Sequence, residues 1–199
     1  MNMSKANKLV EKKDLLSLDI YEKNRKKIRK ELVEFKKTRR VAVGPYATFY
    51  FENFETMLGQ IQEMLYIEKG GDNQLKDELE AYNPLIPKGK ELVATLMFEI
   101  DNPITRADFL GKVGGIEQNA YIKIHDETIK AIAEKDLDRT SSEGKASSVQ
   151  FLHFVFSNEQ IKKFKEIDKE VILGINHDLY NHSSTIQKET KASLIKDFI

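Results

Sequence analysis

The fold class is decided by the stretch Val41-Ala42-Val43-Gly44-Pro45-Tyr46-Ala47-Thr48-Phe49-Tyr50-Phe51. Its β-branched and aromatic residues fall into two runs, which predict two strands, and Gly44-Pro45 between them predicts a turn or bulge. Two strands that follow each other without an intervening helix favour an antiparallel sheet over the parallel sheet of a Rossmann-type fold.

A long helix is predicted before this stretch. Residues 14–38 are highly charged and contain neither Gly nor Pro. Apolar side chains recur there with a 3.6-residue period, which places them on one face of a helix: Leu18, Tyr21, Ile28, Leu32 and Phe35. A second stripe, from Phe54 to Leu65, predicts another helix that ends before Gly70-Gly71.

The remaining elements alternate irregularly along the chain. The same criteria predict helices at 73–81, 103–112 and 158–168, strands at 92–100, 120–125, 128–133, 149–156 and 170–175, and a loop at 135–145. The order predicts an α+β fold, a mostly antiparallel sheet packed by helices with a long N-terminal helix. The predicted core contains Ile28, Leu32, Ile61, Leu65, Leu96, Phe98, Phe151 and Val155.

No internal linker divides the chain, and its 199 residues suit one domain of ordinary size. Residues 1–11 are polar and predict a disordered N-terminal tail. A single α+β domain is predicted over residues 12–180. Residues 181–199 are interpreted as a C-terminal tail that could form one short helix.

The composition excludes several kinds of site. The chain has no cysteine, so disulfides, thiolate zinc sites, iron–sulfur ligation and a cysteine nucleophile are excluded. The histidine and carboxylate spacings predict no metal site, and no cofactor motif occurs. His153 is interpreted as a satisfied core histidine. The start of the chain lacks the apolar segment of a signal peptide, and no run is long enough to span a membrane. We therefore expect a cytoplasmic protein without a membrane partner.

Several segments resemble a bacterial family known as domain of unknown function 3501. The resemblance covers roughly residues 12–180 and rests on Lys37 to Pro45, Gln60 to Leu65, Ile67, Glu68, Glu78 to Pro87, Ala131 to Ala133 and Asp136 to Arg139. The run Tyr82-Asn83-Pro84-Leu85-Ile86-Pro87 is its most particular part, and we expect it to form an ordered, irregular connection. The resemblance implies a cytosolic accessory protein whose partner is a redox protein of the rubrerythrin or iron–sulfur oxidoreductase type.

Two charged residues interrupt the apolar stripes. Arg25 takes the step between Tyr21 and Ile28, and Glu68 falls near the line through Phe54, Ile61 and Leu65. A guanidinium and a carboxylate aimed at one interior predict a pair, since an unpaired buried charge costs several kcal/mol. Such a pair is either a structural salt bridge or part of a ligand site.

The family-like segments add further candidate ligand-binding residues. Together with Arg25 and Glu68 these are Arg39, Arg40, Gln62, Glu63, Tyr82 and Asn83. On the helix alone Glu63 is expected to face solvent, because it points away from the apolar stripe. No residue is assigned a catalytic role.

Charge is segregated along the chain although the net charge is zero. Residues 12–40 contain twelve basic and five acidic residues, and residues 52–80 contain eight acidic and two basic residues. The basic helix either marks a nucleic-acid or partner surface or is neutralised by the acidic helices beside it. The overall balance argues against a dedicated nucleic-acid-binding protein.

Three functional hypotheses follow from the sequence. The first is an uncharacterised accessory or binding protein linked to redox or peroxide stress. The second is a small-molecule-binding enzyme or sensor with an Arg/Glu site, and the third is nucleic-acid binding through the basic N-terminal helix. A homo-oligomer is compatible with each of them.

Overall fold

A computed structural model describes residues 9–134, 145–166 and 168–199. The helices are α1 (Leu18–Lys37), α2 (Phe54–Glu68), α3 (Gly71–Tyr82), α4 (Pro103–Lys112), α5 (Asn158–Lys165) and α6 (Lys188–Leu194). The strands are β1 (Arg40–Val43), β2 (Ala47–Glu52), β3 (Glu91–Phe98), β4 (Ala120–Ile124), β5 (Glu127–Lys130), β6 (Ile132–Ala133), β7 (Val149–Val155), β8 (Val171–His177) and β9 (Tyr180–Thr185). The predicted loop at 135–145 lies outside the described residues except for Lys145.

The strands form two antiparallel sheets. The first has the order β1-β2-β3-β7-β6 and the second the order β5-β4-β8-β9. The predicted α+β class, the antiparallel pairing and the long N-terminal helix are confirmed. The structure contains two sheets where a single sheet was predicted. Only Ala131 separates β5 from β6, but β5 pairs with β4 and β6 pairs with β7, so the two strands belong to different sheets.

The two sheets share one hydrophobic core. Side chains alternate between the faces of a strand, so each sheet presents an apolar row to the other. Phe49, Leu96 and Phe154 of the first sheet belong to the same buried cluster as Ile122 and Leu173 of the second. This cluster is the main core of the protein.

The first sheet is also covered on its other face. Val93 of β3 packs with Met57 and Ile61 of α2 and with Leu85 and Ile86, which follow α3. β3 is therefore buried on both faces. The ordered connection predicted after Tyr82 begins with a short 3-10 helix (Asn83–Leu85) and, as expected, Leu85 and Ile86 anchor it in the core.

α1 lies outside this layer, against α2, and this position corrects part of the predicted core. Ile28 and Leu32 are only half-buried because α1 is a peripheral helix with a single buried residue, Tyr21. Leu65 and Phe151 are also half-buried, and Val155 is 52% exposed on the outer face at the end of β7. Ile61, Leu96 and Phe98 are buried as predicted.

Both chain ends differ from the predicted tails. Val10 is buried, and its backbone N–H and C=O bond to the Asn83 side chain at 2.7 and 3.1 Å, so the disordered tail predicted for residues 1–11 does not include Val10. Residues 1–8 of that prediction lie outside the described residues. The predicted boundary at residue 180 falls on the first residue of β9, which pairs with β8. The possible short helix is present as α6.

A buried ion pair anchors the C-terminus. The Arg39 guanidinium donates to the backbone oxygens of Phe51 and Glu52 at 2.9 and 3.1 Å and to Asp197 Oδ2 at 2.5 Å. The side chains of Arg39 and Asp197 are 2% and 6% exposed. Burial raises the pKa of the Asp197 carboxyl, and the Arg39 guanidinium opposes that rise. Arg39 is thus a structural residue that joins β2 to the last helical turn.

We expect Asp197→Asn to destabilise the protein by about 3–5 kcal/mol, because it leaves the buried Arg39 charge uncompensated. The control is Lys37→Gln, which removes an exposed pair with Glu34 and should cost less than about 1 kcal/mol. Urea unfolding of both variants measures the difference. Equal losses would contradict a structural role for the buried pair.

Candidate functional site on the α1–α2 helix pair

α1 and α2 run antiparallel, and their contact is close at one glycine. Glu63 faces Tyr21 and Arg25, while Gly59, one turn earlier on α2, faces Leu32. A Cβ at Gly59 would lie 2.5 Å from Leu32 Cδ2, so the glycine leaves room for the α1 side chain. The pair therefore meets along the stripe predicted on α1.

A hydrogen-bonded charge cluster lies at the centre of the helix contact. Arg25 Nε lies 3.2 and 3.1 Å from the two carboxylate oxygens of Glu63, and Arg25 Nη2 also donates to Glu63 Oε1. Tyr21 Oη donates to Glu63 Oε2 at 2.6 Å. The Arg25 hydrogen bonds hold the pKa of the Glu63 carboxyl below its usual range, and burial raises the pKa of the Tyr21 hydroxyl. Glu63 is therefore an ionised acceptor between two donors.

This arrangement corrects the predicted pairing of Arg25 with Glu68. Glu68 is exposed and accepts a hydrogen bond from Gln74 at 3.1 Å. The apolar stripe of α2 faces the first sheet, so α1 packs on the opposite face of α2. Glu63 lies on that opposite face, about 200° around the helix from Ile61, whereas Glu68 lies about 20° from Ile61. The prediction that Glu63 faces solvent is wrong for the same reason.

The other candidate residues do not converge on this cluster. Arg39 is bound at the C-terminus, and Arg40 is exposed on β1. The Gln62 amide is buried and bonds to both backbone groups of Leu16 at 2.7 and 3.2 Å, so it holds the segment before α1. Tyr82 and Asn83 lie at the end of α3, where Asn83 binds Val10. A single Arg/Glu site containing all of them is not formed.

An apolar groove of about 420 Å³ runs along one flank of the helix pair. Its apolar lining comes from α1, α2 and the segment before α1: Leu16, Ile28, Leu32, Phe35 and Leu58. Three carboxylate residues, Asp14, Glu31 and Glu55, also line it, and no lysine or arginine of the described chain does. The groove therefore combines an apolar floor with negative charge.

The opposite flank of α1 is basic. A shallow depression of about 510 Å³ is lined by Arg25, Lys26, Arg29, Lys30 and Tyr66, with Glu22 and Val33. The Arg25 guanidinium lies 4.7 Å from the centre of the Tyr66 ring, and Tyr66 Oη donates to Glu22 at 3.1 Å. Arg29 reaches Glu63 only at 3.9 Å. Part of the basic charge of α1 is thus neutralised by α2, and part faces outward.

A second polar cluster surrounds His153 on β7. Nδ1 lies 3.0 Å from Glu91 Oε2 on β3, and Nε2 lies 2.8 Å from Glu134 Oε2, which follows β6. The hydrogen bond to Glu91, joined by the weaker contribution of Glu134, raises the pKa of His153 despite its burial. The prediction of a satisfied core histidine is confirmed for its hydrogen bonds but not for its position, because His153 is half-buried on the outer face of the sheet. In the described part of the chain, no three such groups converge on a point suited to a metal ion.

The comparison with known proteins gives a family but no activity. The model of the DUF3501 family, described as a protein of unknown function, matches residues 9–198. The chain belongs to the DUF3501 family. This match confirms the resemblance seen in the sequence and extends it from residues 12–180 to residues 9–198. No curated protein matches this DUF3501 chain.

A solved structure of another protein is similar to this DUF3501 chain. The crystal structure of a protein of unknown function from Burkholderia pseudomallei is 34% identical to this chain, with a TM-score of 0.89. The match covers 96% of this chain and 100% of the other. Within the described residues of the DUF3501 chain, no helix combines the length and apolar content that a membrane crossing requires.

We expect Glu63→Gln to destabilise the protein by roughly 1–3 kcal/mol, because it removes the charge that compensates the half-buried Arg25. Glu68→Gln is the matched control on the same helix and should change stability by less than about 0.5 kcal/mol. Thermal or urea unfolding of the two variants tests the corrected pairing. A larger loss in the Glu68 variant would refute it.

The His153 cluster predicts a pH-dependent contribution to stability. A raised pKa in the folded protein means that the contribution is fully present below the unfolded histidine value of 6.5. It is lost as the pH rises through the folded pKa. The free energy of unfolding of wild type, relative to His153→Gln, should therefore fall by on the order of 1 kcal/mol between about pH 5.5 and pH 9.

The control for this measurement is His182→Gln. His182 is exposed on β9 and has no carboxylate partner in the described residues, so this variant should keep the wild-type pH trend. If the stability of His153→Gln depended on pH as that of wild type does, the hydrogen bonds of His153 to Glu91 and Glu134 would not contribute to folding stability.

Proposed function

We propose that this chain is a cytoplasmic, non-catalytic accessory protein that binds a basic amphipathic helix of a partner protein in the α1–α2 groove. In this proposal the partner belongs to a redox or peroxide-defence system, as the family resemblance implies. The observation that carries the proposal is an apolar groove whose lining, among the described residues, contains three carboxylates and no basic side chain.

The shape of the groove supports a helical occupant. The groove follows α1 from Tyr21 to Phe35, a helical length of about 20 Å. Two antiparallel helices form its walls, and an apolar channel between two helices receives the apolar face of a third in helix-in-groove recognition. Leu58 on α2 and Leu32 on α1 are the central apolar contacts available to such a helix.

The charge of the groove supports a basic occupant. Glu31 has only a long contact with Lys27 at 3.9 Å, and Glu55 makes no ion pair in the described residues. Lysines or arginines along the flanks of a bound helix would meet these carboxylates. Charge complementarity of this kind mainly raises the association rate and selects against acidic partners.

The Arg/Glu cluster supports a small-molecule sensor or enzyme less well. The Arg25 Nε and Nη2 groups already donate to Glu63, and Glu63 Oε2 also accepts from Tyr21. A ligand carboxylate or phosphate that bound the Nε–Nη2 edge of Arg25 would have to displace Glu63. A partner can bind in the apolar groove beside this cluster without displacing Glu63.

The basic flank of α1 supports a second candidate, nucleic-acid binding through the helix. Lys26, Lys30 and Arg29 are exposed there. The depression is shallow and its described neighbours include the acidic Glu22, so the field that would attract a phosphate chain is weakened.

A synthetic amphipathic helix tests the groove directly. We expect a fluorescein-labelled Leu/Lys peptide of about 15 residues to bind the protein, and a Leu/Glu peptide of the same apolar pattern to bind at least about tenfold more weakly. Glu31→Lys should reduce the affinity for the Leu/Lys peptide by about tenfold. Glu34→Lys, an exposed charge reversal on α1 outside the groove, should leave it unchanged within about twofold.

Binding to defined redox proteins tests the assignment of the partner to a redox system. Purified rubrerythrin-type and iron–sulfur oxidoreductase proteins from the same host should bind wild type and lose affinity with Glu31→Lys but not with Glu34→Lys. Binding of the Leu/Lys peptide without binding of either redox protein would support the groove and reject the redox assignment. Equal binding of both peptides, or no effect of Glu31→Lys, would refute the groove.

A further inference from the structure

The outer face of the second sheet forms a polar groove that the proposed accessory role does not use. Alternation along the strands sends Ile122 and Leu173 into the core and Tyr121, Lys123 and Lys130 to the other side. The groove on that side has a volume of about 400 Å³ and is lined by residues of β4, β5, β8 and β9 and of the segment before β4. Apart from the buried Ala120, its side chains are exposed or half-buried, so no described helix covers them.

Among the described residues, the groove is lined by positive charge and by no negative charge. Lys123 and Lys130 line it, and no acidic residue of the described chain does. Neither lysine forms an ion pair in the described residues. In a chain with equal numbers of acidic and basic residues, a face with two unpaired ammonium groups and no carboxylate favours an anionic ligand.

An aromatic ring lies across the same face. Tyr121 on β4 is opposite Gly174 on β8. A Cβ at Gly174 would lie 2.5 Å from Tyr121 Cζ, so the glycine allows the ring to cross over the neighbouring strand. The ring is therefore held against the sheet, and its outward side is available for stacking.

Amide side chains surround the ring and the lysines. Asn176 and Asn181 are cross-strand partners on β8 and β9, and Gln118 precedes β4. Amides offer both donors and acceptors, which suits the edges of nucleic-acid bases. An aromatic surface, basic side chains and amides on an uncovered four-stranded sheet are the combination that binds single-stranded nucleic acid in sheet-based modules.

We propose that this face binds a short single-stranded nucleic acid. A base stacks on Tyr121, the phosphates lie near Lys123 and Lys130, and the amides of Asn176 and Asn181 contact base edges. Four strands about 4.8 Å apart present a surface roughly 15 Å wide, which accommodates about two or three nucleotides.

Fluorescence anisotropy with the full chain and a labelled single-stranded RNA of about eight nucleotides tests the proposal. Two phosphate contacts predict that the affinity falls by about sevenfold between about 50 and 200 mM salt. Lys123→Gln combined with Lys130→Gln should lower the affinity at least about tenfold and flatten this salt dependence. Tyr121→Leu, which still covers Gly174, should weaken binding by about tenfold, and Tyr121→Phe should retain it.

The control variant combines Lys26→Gln with Lys30→Gln on the basic flank of α1. It removes the same number of charges and should leave the affinity unchanged within about twofold. If the α1 variant loses binding while the sheet variant does not, the sheet-face proposal is wrong and the helix is the nucleic-acid site. If Tyr121→Leu has no effect, or if inorganic polyphosphate competes as well as RNA, the face attracts anions without recognising bases and the proposal is also wrong. Thermal unfolding confirms that each variant is folded before it is compared.

Discussion

The burial of the first sheet on both faces is the constraint on which the rest of the structure depends. β3 packs against the second sheet on one face and against α2 and the residues after α3 on the other. The apolar stripe of α2 therefore packs against the first sheet and is not available to α1. Any helix that packs on the remaining face of α2 must do so through polar residues and side chains at the margin of the stripe. This accounts for the ionised Glu63 at the centre of the α1–α2 contact.

The same constraint explains the distribution of charge. The basic α1 lies directly against the acidic α2, where Glu63 accepts hydrogen bonds from Arg25 and lies 3.9 Å from Arg29. Lys12 reaches Asp72 of α3 at 2.8 Å. The segregated charges of the sequence are therefore partly paired within the fold. The remaining charges lie on separate surfaces: the acidic ones line the groove on one flank of α1, and the basic ones line the depression on the other flank.

The second sheet is constrained differently, because only its inner face joins the core. Its outer face keeps polar residues and a glycine that accommodates a tyrosine ring. The ion pair between Arg39 and Asp197 belongs to neither open face, since it is almost wholly buried and ties the last residues to β2. Both surfaces proposed for binding are thus parts of the fold that packing leaves uncovered.

Local patterns in the sequence determined the helices, most of the strands and the family. The helical period of Tyr21, Ile28 and Leu32 located α1, and Pro103 placed the start of α4. The run after Tyr82 identified the ordered connection that follows α3. These signals could be read from the sequence because each acts within a few residues. β9 was missed since its polar outer residues resemble a tail, and the core role of Val155 was overestimated because hydrophobicity alone does not say which face of a strand is covered.

Only the tertiary structure decided which residues meet. The sequence singled out Arg25 and Glu63 separately, yet it paired Arg25 with Glu68 because each charge interrupts an apolar stripe. Two apolar stripes face each other only if both helices pack against one core. Here the stripe of α2 packs on the first sheet, and α1 packs on the opposite face of α2. The partners of Arg39 and His153 likewise depend on strand register and on elements distant in the chain. A sequence specifies local conformation through short-range sterics and periodicity, whereas the pairing of its charges follows from packing that no single segment contains.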